Sequence, residues 1–326
     1  MKNKFSKNHL VTFSIVIIAF LLCFILISSG NATRQFKGLL VPIGINIILA
    51  VSLNLAVGFL GQLTLGHAGF MSVGAYAGCL FSIQFQDILP MIIRFPLAMI
   101  AGGLVASAFG IIIGIPVLRM KGDYLAIVTL AFGEIIRSVI TNLKFTGGAA
   151  GLKGTPQDTN YIIVFVVIFI TLFVLMNLID SRHGRAIMSI RDNSIAAESI
   201  GINITYFKLL TFVIAAFFAG VAGVLYGHNL SILSASTFDY NKSIEILVIV
   251  VLGGMGSIRG SIIAAILITA LPEMLRGSDK YRMLLYAIIL IFMMLLNSSP
   301  KFAQFKSKLN YKTLIGIIKS RIKKEA

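Results

Sequence analysis

The chain has 326 residues, 57% of them hydrophobic and only 12% charged. A soluble domain is about 45–50% apolar and about 25% charged, so an ordinary soluble globular fold is excluded. The net charge of +16 would suggest nucleic acid in a soluble protein, but here the basic residues lie mostly between long apolar runs, where they act as a membrane-topology signal.

A bilayer core about 30 Å thick takes about 20 apolar residues per helix. On that measure spans are expected near 11–29, 38–60, 63–84, 95–118, 122–142, 160–180, 207–229, 243–255, 257–274 and 282–297. The fold class is therefore all-α: a polytopic helical membrane protein of about ten transmembrane helices, with one or two short or broken segments. Residues 1–300 make up that membrane domain. The first span follows a basic start, but its apolar run exceeds a signal-peptide core and "LISSGNATRQ" offers no small-residue cleavage site, so it is expected to be retained. With the N-terminus inside, ten spans put 18 Lys and Arg on the inner side against 9 outside, with Arg137 within a span. The positive-inside bias then favours cytoplasmic N- and C-termini. Cys23 and Cys79 both fall within spans, which gives no disulfide framework.

The third span begins "LTLGHAGFMSVGAYAG", with Gly66, Gly69, Gly74 and Gly78. Such glycines either let helix backbones pack closely or permit a helix break that lines a pathway. His67 reads as a hydrogen-bonded packing residue, because nothing near it has metal-ligand spacing. In the fifth span "LAFGEIIRS" places Glu134 and Arg137 three apart, on one helix face, where they can pair. Charges inside a bilayer normally face protein or water, so both are pathway candidates as well as a structural pair. The run "GGAAGLKGT" is the nearest thing to a phosphate loop, yet Lys153 follows Leu152 and precedes Gly154, so it fails the pattern. Motifs for metalloproteases, nucleophile elbows and Cys/His metal sites are equally lacking. The chain is expected to have no catalytic residue and no metal, and not to hydrolyse nucleotide by itself.

The connection 181–206, "SRHGRAIMSIRDNSIAAESIGINITY", is the longest on the inner side. Asp192, Asn193 or Ser194 can cap a helix, "IAAES" favours one, and Gly201 suits its stop. This predicts a two-turn helix with small residues at Ala196 and Ala197 and an acid at Glu198, shaped to dock on another protein; the alternative is an ordinary structured loop. Further on, "SIEILVIVVLGGMGSIRG" has about twelve residues before its glycine cluster, covering about 18 Å, too little to cross the core. It is either a half-helix or is extended upstream by "SASTFDYNK". Glu245 sits near its outer end. The tail 301–326 is basic, with one apolar stripe at Phe302, Phe305 and Leu309 and another at Tyr311, Ile315, Ile318 and Ile322. The stripes point to opposite sides of a single helix, so a break is expected near Asn310, with the tail lying on membrane lipid at the cytoplasmic face.

Five stretches together, "LGHAGF", "MKGDYLAIVTLAFGEIIR", "NLKFTGGAAGLKG", "GRAIMSIRDNSIAAESIGIN" and "VVLGGMGSIRG", closely resemble the permeases of branched-chain amino acid ABC importers. The resemblance spans roughly residues 38 to 297, in the family's order. "GDYLAIVTLAFGEI" and "TGGAAGL" make it similar to the M-type permease rather than its H-type partner. The resemblance implies that 181–206 carries a coupling helix that docks on an ATPase subunit, and this role carries over to Arg185, Arg191, Asp192, Ala196, Ala197, Glu198 and Gly201. The family's "RDD" stands here as Arg191, Asp192, Asn193. The pathway candidates are Gly66, His67, Gly69, Glu134, Arg137, Gly147, Gly148, Glu245, Gly253 and Gly254. The implied partners are a second, homologous permease, two ATPase subunits that use ATP and Mg, and an external solute-binding protein, at a bacterial cytoplasmic membrane. The implied cargo is leucine, isoleucine or valine; relatives carry other amino acids, urea or short amides. A rival reading, an ion-coupled secondary transporter, would need a proton relay, for which only Glu134 and Glu245 are candidates.

Overall fold

The computed structural model describes residues 2–29, 33–120 and 122–274, together with positions 287, 288 and 291. The described residues form eleven α-helices: α1 Lys2–Ser28, α2 Arg34–Asn54, α3 His67–Gln84, α4 Met91–Val117, α5 Asp123–Asn142, α6 Tyr161–Asp180, α7 Arg182–Asp192, α8 Ser194–Ser199, α9 Ile204–Gly227, α10 Tyr240–Gly253 and α11 Ile258–Met274. Two short strands, β1 Leu152–Lys153 and β2 Ile232–Leu233, pair antiparallel with Leu152 opposite Leu233. The chain divides into two units, Met1–Ala270 and Leu271–Ala326. Apart from three positions, the expected span at 282–297 lies outside the described residues, as does the whole tail 301–326 with its expected break near Asn310.

The helices of the first unit follow the apolar runs. Among the described residues, five stretches are long and apolar enough to cross a bilayer: Gln35–Phe59, Met91–Val117, Asp123–Asn142, Tyr161–Asp180 and Ile204–Gly227. The other helices at expected spans are shorter or carry more polar residues; α3 has 18 residues, α11 has 17 and α10 has 14. The fold is thus an all-α membrane bundle, and the described residues hold five helical stretches of bilayer length where about ten crossings are expected for the whole chain.

The first of these stretches is buried without interruption from Gly44 to Phe59 and forms the centre of the unit. Most residues of α4, α5 and α6 are not buried, and these helices turn apolar side chains outward, among them Leu104, Ile112, Ile127, Ile135, Val166 and Phe173. In lipid such surface carries no penalty, so the helices must be held by close packing rather than by hydrophobic expulsion. Small residues supply that packing where α3, α4 and α9 meet. A Cβ added at Gly74 would lie 2.2 Å from Gly220 Cα, and one at Gly220 would lie 2.8 Å from Gly102 O. The Gly74/Gly78 pair therefore serves backbone contact with α9, Gly78 lying against Val224 and Ala98 O.

The centre of the unit also holds a break. After Asn54, α2 passes into a buried π-helical turn, Leu55–Phe59, with Leu60 N bonded to Leu55 O. Gly61 then takes φ +75°, in the left-handed region that glycine accepts without cost, and the chain runs non-helically until His67. The expected span 63–84 therefore starts late as a helix, because 61–66 is irregular backbone.

Candidate coupling loop and pathway residues

The polar connection is more ordered than the expected single two-turn helix. Ser181 caps α7, its Oγ accepting from His183 N at 3.1 Å and Gly184 N at 3.3 Å. Gly184, Ile187 and Ile190, spaced by three, form the buried face of α7. Of the three possible caps for the second helix, the structure uses Asn193: its Oδ1 accepts from Ile195 N and Ala196 N, each at 3.1 Å. Gly201, at φ +87°, ends α8, and Gly201 N bonds to Glu198 O at 2.9 Å.

The expected coupling residues divide between two faces. Ala196, Glu198 and Asp192 are exposed, whereas Ala197 is only 2% exposed and faces the interior of its own chain. The small-residue knob pictured from the sequence therefore needs correcting, since one of its two alanines packs inward. What α8 presents instead is apolar: Ile195 is 79% exposed and Ile200 is 74% exposed. Arg185 folds back on the preceding helix, its Nη1 donating to Asp180 O at 3.2 Å.

Arg191 reaches furthest. Its Nη1 donates to Gly58 O in the π-helical turn at 3.2 Å, while Nε and Nη2 donate to Asp192 Oδ1 at 3.0 and 2.9 Å. Gly58 O belongs to the last turn of a helix, where carbonyls lack intrahelical partners and a cation is favoured by the helix dipole. The Arg191 stem lies over Gly61, where an added Cβ would come 2.7 Å from Arg191 Cγ.

The pathway candidates fall into three groups. Gly66, His67 and Gly69 lie where α2, α3, α5 and α10 meet. Gly66 packs on Thr129 O and Gly69 on Gly133 Cα, the residue before Glu134. His67 is buried, with Nε2 2.9 Å from Ser52 Oγ, as the sequence suggested for a hydrogen-bonded packing residue. The backbone freed at this break is bonded within the protein: Leu65 N donates to Thr129 Oγ1 at 3.0 Å and Ala68 N to Ser243 Oγ at 3.2 Å. Glu134 and Arg137 form the expected pair, Oε2 to Nη2 at 2.6 Å, with 28% and 35% of their side chains exposed.

Glu245 belongs to a second group at the start of α10. Lys242 Nζ lies 3.0 Å from Glu245 Oε2 and donates to Asn46 Oδ1 at 3.3 Å. Asp239 caps this helix through Lys242 N, so α10 begins three residues before the expected segment and ends at Gly253. Its 14 residues cover about 21 Å, short of the bilayer core. Gly253 packs directly on Gly260, and Gly254 at φ +91° turns the chain into α11. Gly147 and Gly148, the third group, sit apart in the turn after α5, at φ +82° and +58°.

Two features escaped the sequence reading. One is α7, although Ser181 followed by apolar positions spaced by three was a usable signal. The other is a buried ion pair between Arg94 and Asp158, residues 64 positions apart with no local pattern to link them.

Comparison with known proteins bears on these features. The family described as "Branched-chain amino acid transport system / permease component" matches residues 35–294. The high-affinity branched-chain amino acid transport system permease protein LivM of Salmonella typhimurium is 35% identical over 290 residues, covering 77% of this chain and 66% of the relative. LivM of Escherichia coli has the same identity and coverage. The LivH permease protein of Salmonella typhimurium is 25% identical over 272 residues, covering 76% of this chain and 88% of the relative. The chain thus spans 66% of the length of the two LivM proteins.

Proposed function

Because this chain belongs to the family of branched-chain amino acid transport permease components, we propose that it is the M-type membrane subunit of an ATP-driven importer. Its cargo on this reading is leucine, isoleucine or valine, carried across a bacterial cytoplasmic membrane. The M-type assignment matches the higher identity to LivM, 35%, than to LivH, 25%. The permease domain, 1–300, has about ten spans and cytoplasmic termini, 181–206 is its coupling loop, and 301–326 is a basic cytoplasmic tail. A homologous second permease, two ABC ATPase subunits and an external solute-binding protein complete the machine, and ATP and Mg are used by the ATPase subunits.

The observation that carries this reading is the apolar tip of α8. Ile195 and Ile200 stand exposed on a capped helix within an otherwise polar loop. Exposed apolar groups on a loop of this kind fit a groove on a partner, with Glu198 and Asp192 at the rim. On the membrane side, the residues around Gly66, His67, Gly69, Glu134 and Arg137, with Glu245 and the glycine turns at Gly147, Gly148, Gly253 and Gly254, border the route of the amino acid. Irregular backbone of this kind offers N–H and C=O groups to a zwitterion without a fixed charge.

The test is uptake by the complex reconstituted in vesicles with its partner permease, ATPase subunits and solute-binding protein. Labelled leucine, isoleucine and valine should accumulate with ATP inside and persist when an ionophore collapses ion gradients. Uptake that follows an ion gradient without ATP would overturn the reading. Uptake of urea or short amides in place of amino acids would overturn the cargo alone.

A further inference from the structure

The contacts of Arg191 extend past the helix it caps. Gly58, whose carbonyl it holds, lies directly against the turn between α10 and α11: an added Cβ there would fall 2.1 Å from Gly256 N. Gly256 N in turn donates to Asn54 Oδ1 at 2.8 Å, and Asn54 Nδ2 donates to Ser261 Oγ at 2.9 Å. Asn54 is completely buried at the last position of α2. A Cβ at Gly256 would sit 3.6 Å from Arg191 Nη1, so the guanidinium also borders this turn. Arg191, the end of α2 and the α10–α11 turn thus meet at one place. Gly61 and Gly256 adopt φ +75° and +79°, and Gly58 has no room for a side chain.

We propose that Arg191 is a strut that makes the loop helices α7 and α8, the π-helical turn of α2 and the α10–α11 turn move as one body. The inference rests on the transport reading, because motion of the loop matters only if an ATPase drives it. Three physical features support it. The guanidinium is held in place by Asp192 on its own helix, so its fork cannot swing away without losing two charge-assisted bonds. Its target, Gly58 O, is a carbonyl in the π-helical turn that ends the helix, where a cation is most favoured. Beyond that carbonyl, glycines put backbone against backbone, and close-packed contacts transmit displacement instead of absorbing it. Arg191 is therefore a positioning residue: it carries the movement of the loop to the short helix α10 without touching the cargo.

The experiment compares Arg191→Ala and Arg191→Lys with the wild type in the full reconstituted complex. Amino acid transported per ATP hydrolysed should fall about tenfold or more in Arg191→Ala, the scale set by losing a hydrogen bond to a charged group, with part restored by Arg191→Lys. A transport-to-ATP ratio unchanged in Arg191→Ala would overturn the proposal. A second readout needs no transport. Spin labels on cysteines at exposed Arg182 and Met255, in a Cys23→Ser background, should keep one narrow distance in the complex with and without ATP. Arg191→Ala should broaden that distance, and an unaltered width would overturn the strut. If the wild-type complex moves no amino acid, the transport reading falls while the label distances still decide the strut.

Discussion

Arg94 and Asp158 form an ion pair 2.6 Å long whose side chains are only 7% and 11% exposed, joining the start of α4 to the connection that leads into α6. Arg94 Nη1 also donates to Gln86 O at 3.3 Å. Breaking such a pair strands a buried charge, so Arg94→Gln or Asp158→Asn alone should cost about 3–5 kcal/mol. The double variant should cost less than the sum. Thermal unfolding of the purified chain in detergent measures all three, and strict additivity would mean the two charges do not sense each other.

Close backbone contact makes a sharper contrast. Gly74→Ala should force α3 from α9, because its Cβ would meet Gly220 Cα at 2.2 Å, and should cost about 1–3 kcal/mol or more. Gly38→Ala in α2 meets nothing within 4 Å and should stabilise the helix by about 0.5–1 kcal/mol. Melting temperatures of the two variants should therefore shift in opposite directions.

Docking of the loop should depend on its exposed isoleucines. Replacing both Ile195 and Ile200 by Ser should weaken association with the ATPase subunits at least about tenfold while leaving the yield of the chain in the membrane unaltered. Ala197→Arg is a different experiment, because Ala197 is buried in its own chain and a large charged group there should unfold α8. Co-purification, normalised to membrane yield, separates the two effects. Retained binding in the Ile195/Ile200 variant would place the ATPase elsewhere.

The Glu134–Arg137 pair is more open than Arg94–Asp158, so its loss should be milder. Glu134→Gln and Arg137→Gln should each reduce folded yield. The double variant should fall short of the sum by about 0.5–3 kcal/mol, the usual coupling of residues in contact. Strict additivity of the two changes would mean that the residues act independently.

How much of this was legible depended on the range of the interaction. Long apolar runs placed α4 and α6 within a few residues, 95–118 against Met91–Val117 and 160–180 against Tyr161–Asp180, because helix length is set by consecutive residues. The Glu134–Arg137 pair was equally local. Ala197 was misjudged for the opposite reason: its helix was foreseen, but which face turns inward depends on neighbours distant in the chain. The bond from Arg191 to Gly58 spans 133 positions and leaves no trace in either local pattern. The irregular stretch 61–66 was half visible, since its glycines marked a break without showing whether backbone or cargo fills it.

The two-residue ladder of β1 and β2 has a consequence for membrane topology. Leu152–Lys153 lies between α5 and α6, and Ile232–Leu233 lies between α9 and α10, yet they are hydrogen-bonded to each other. Strands paired this way emerge on the same face of the bilayer, so the chain between them crosses an even number of times. With α6 and α9 as those two crossings, α7 and α8 are carried to the opposite face. Four residues of sheet thus act as a parity check on the insertion of the chain: a skipped crossing between them would leave the strands on different sides and the ladder unmade.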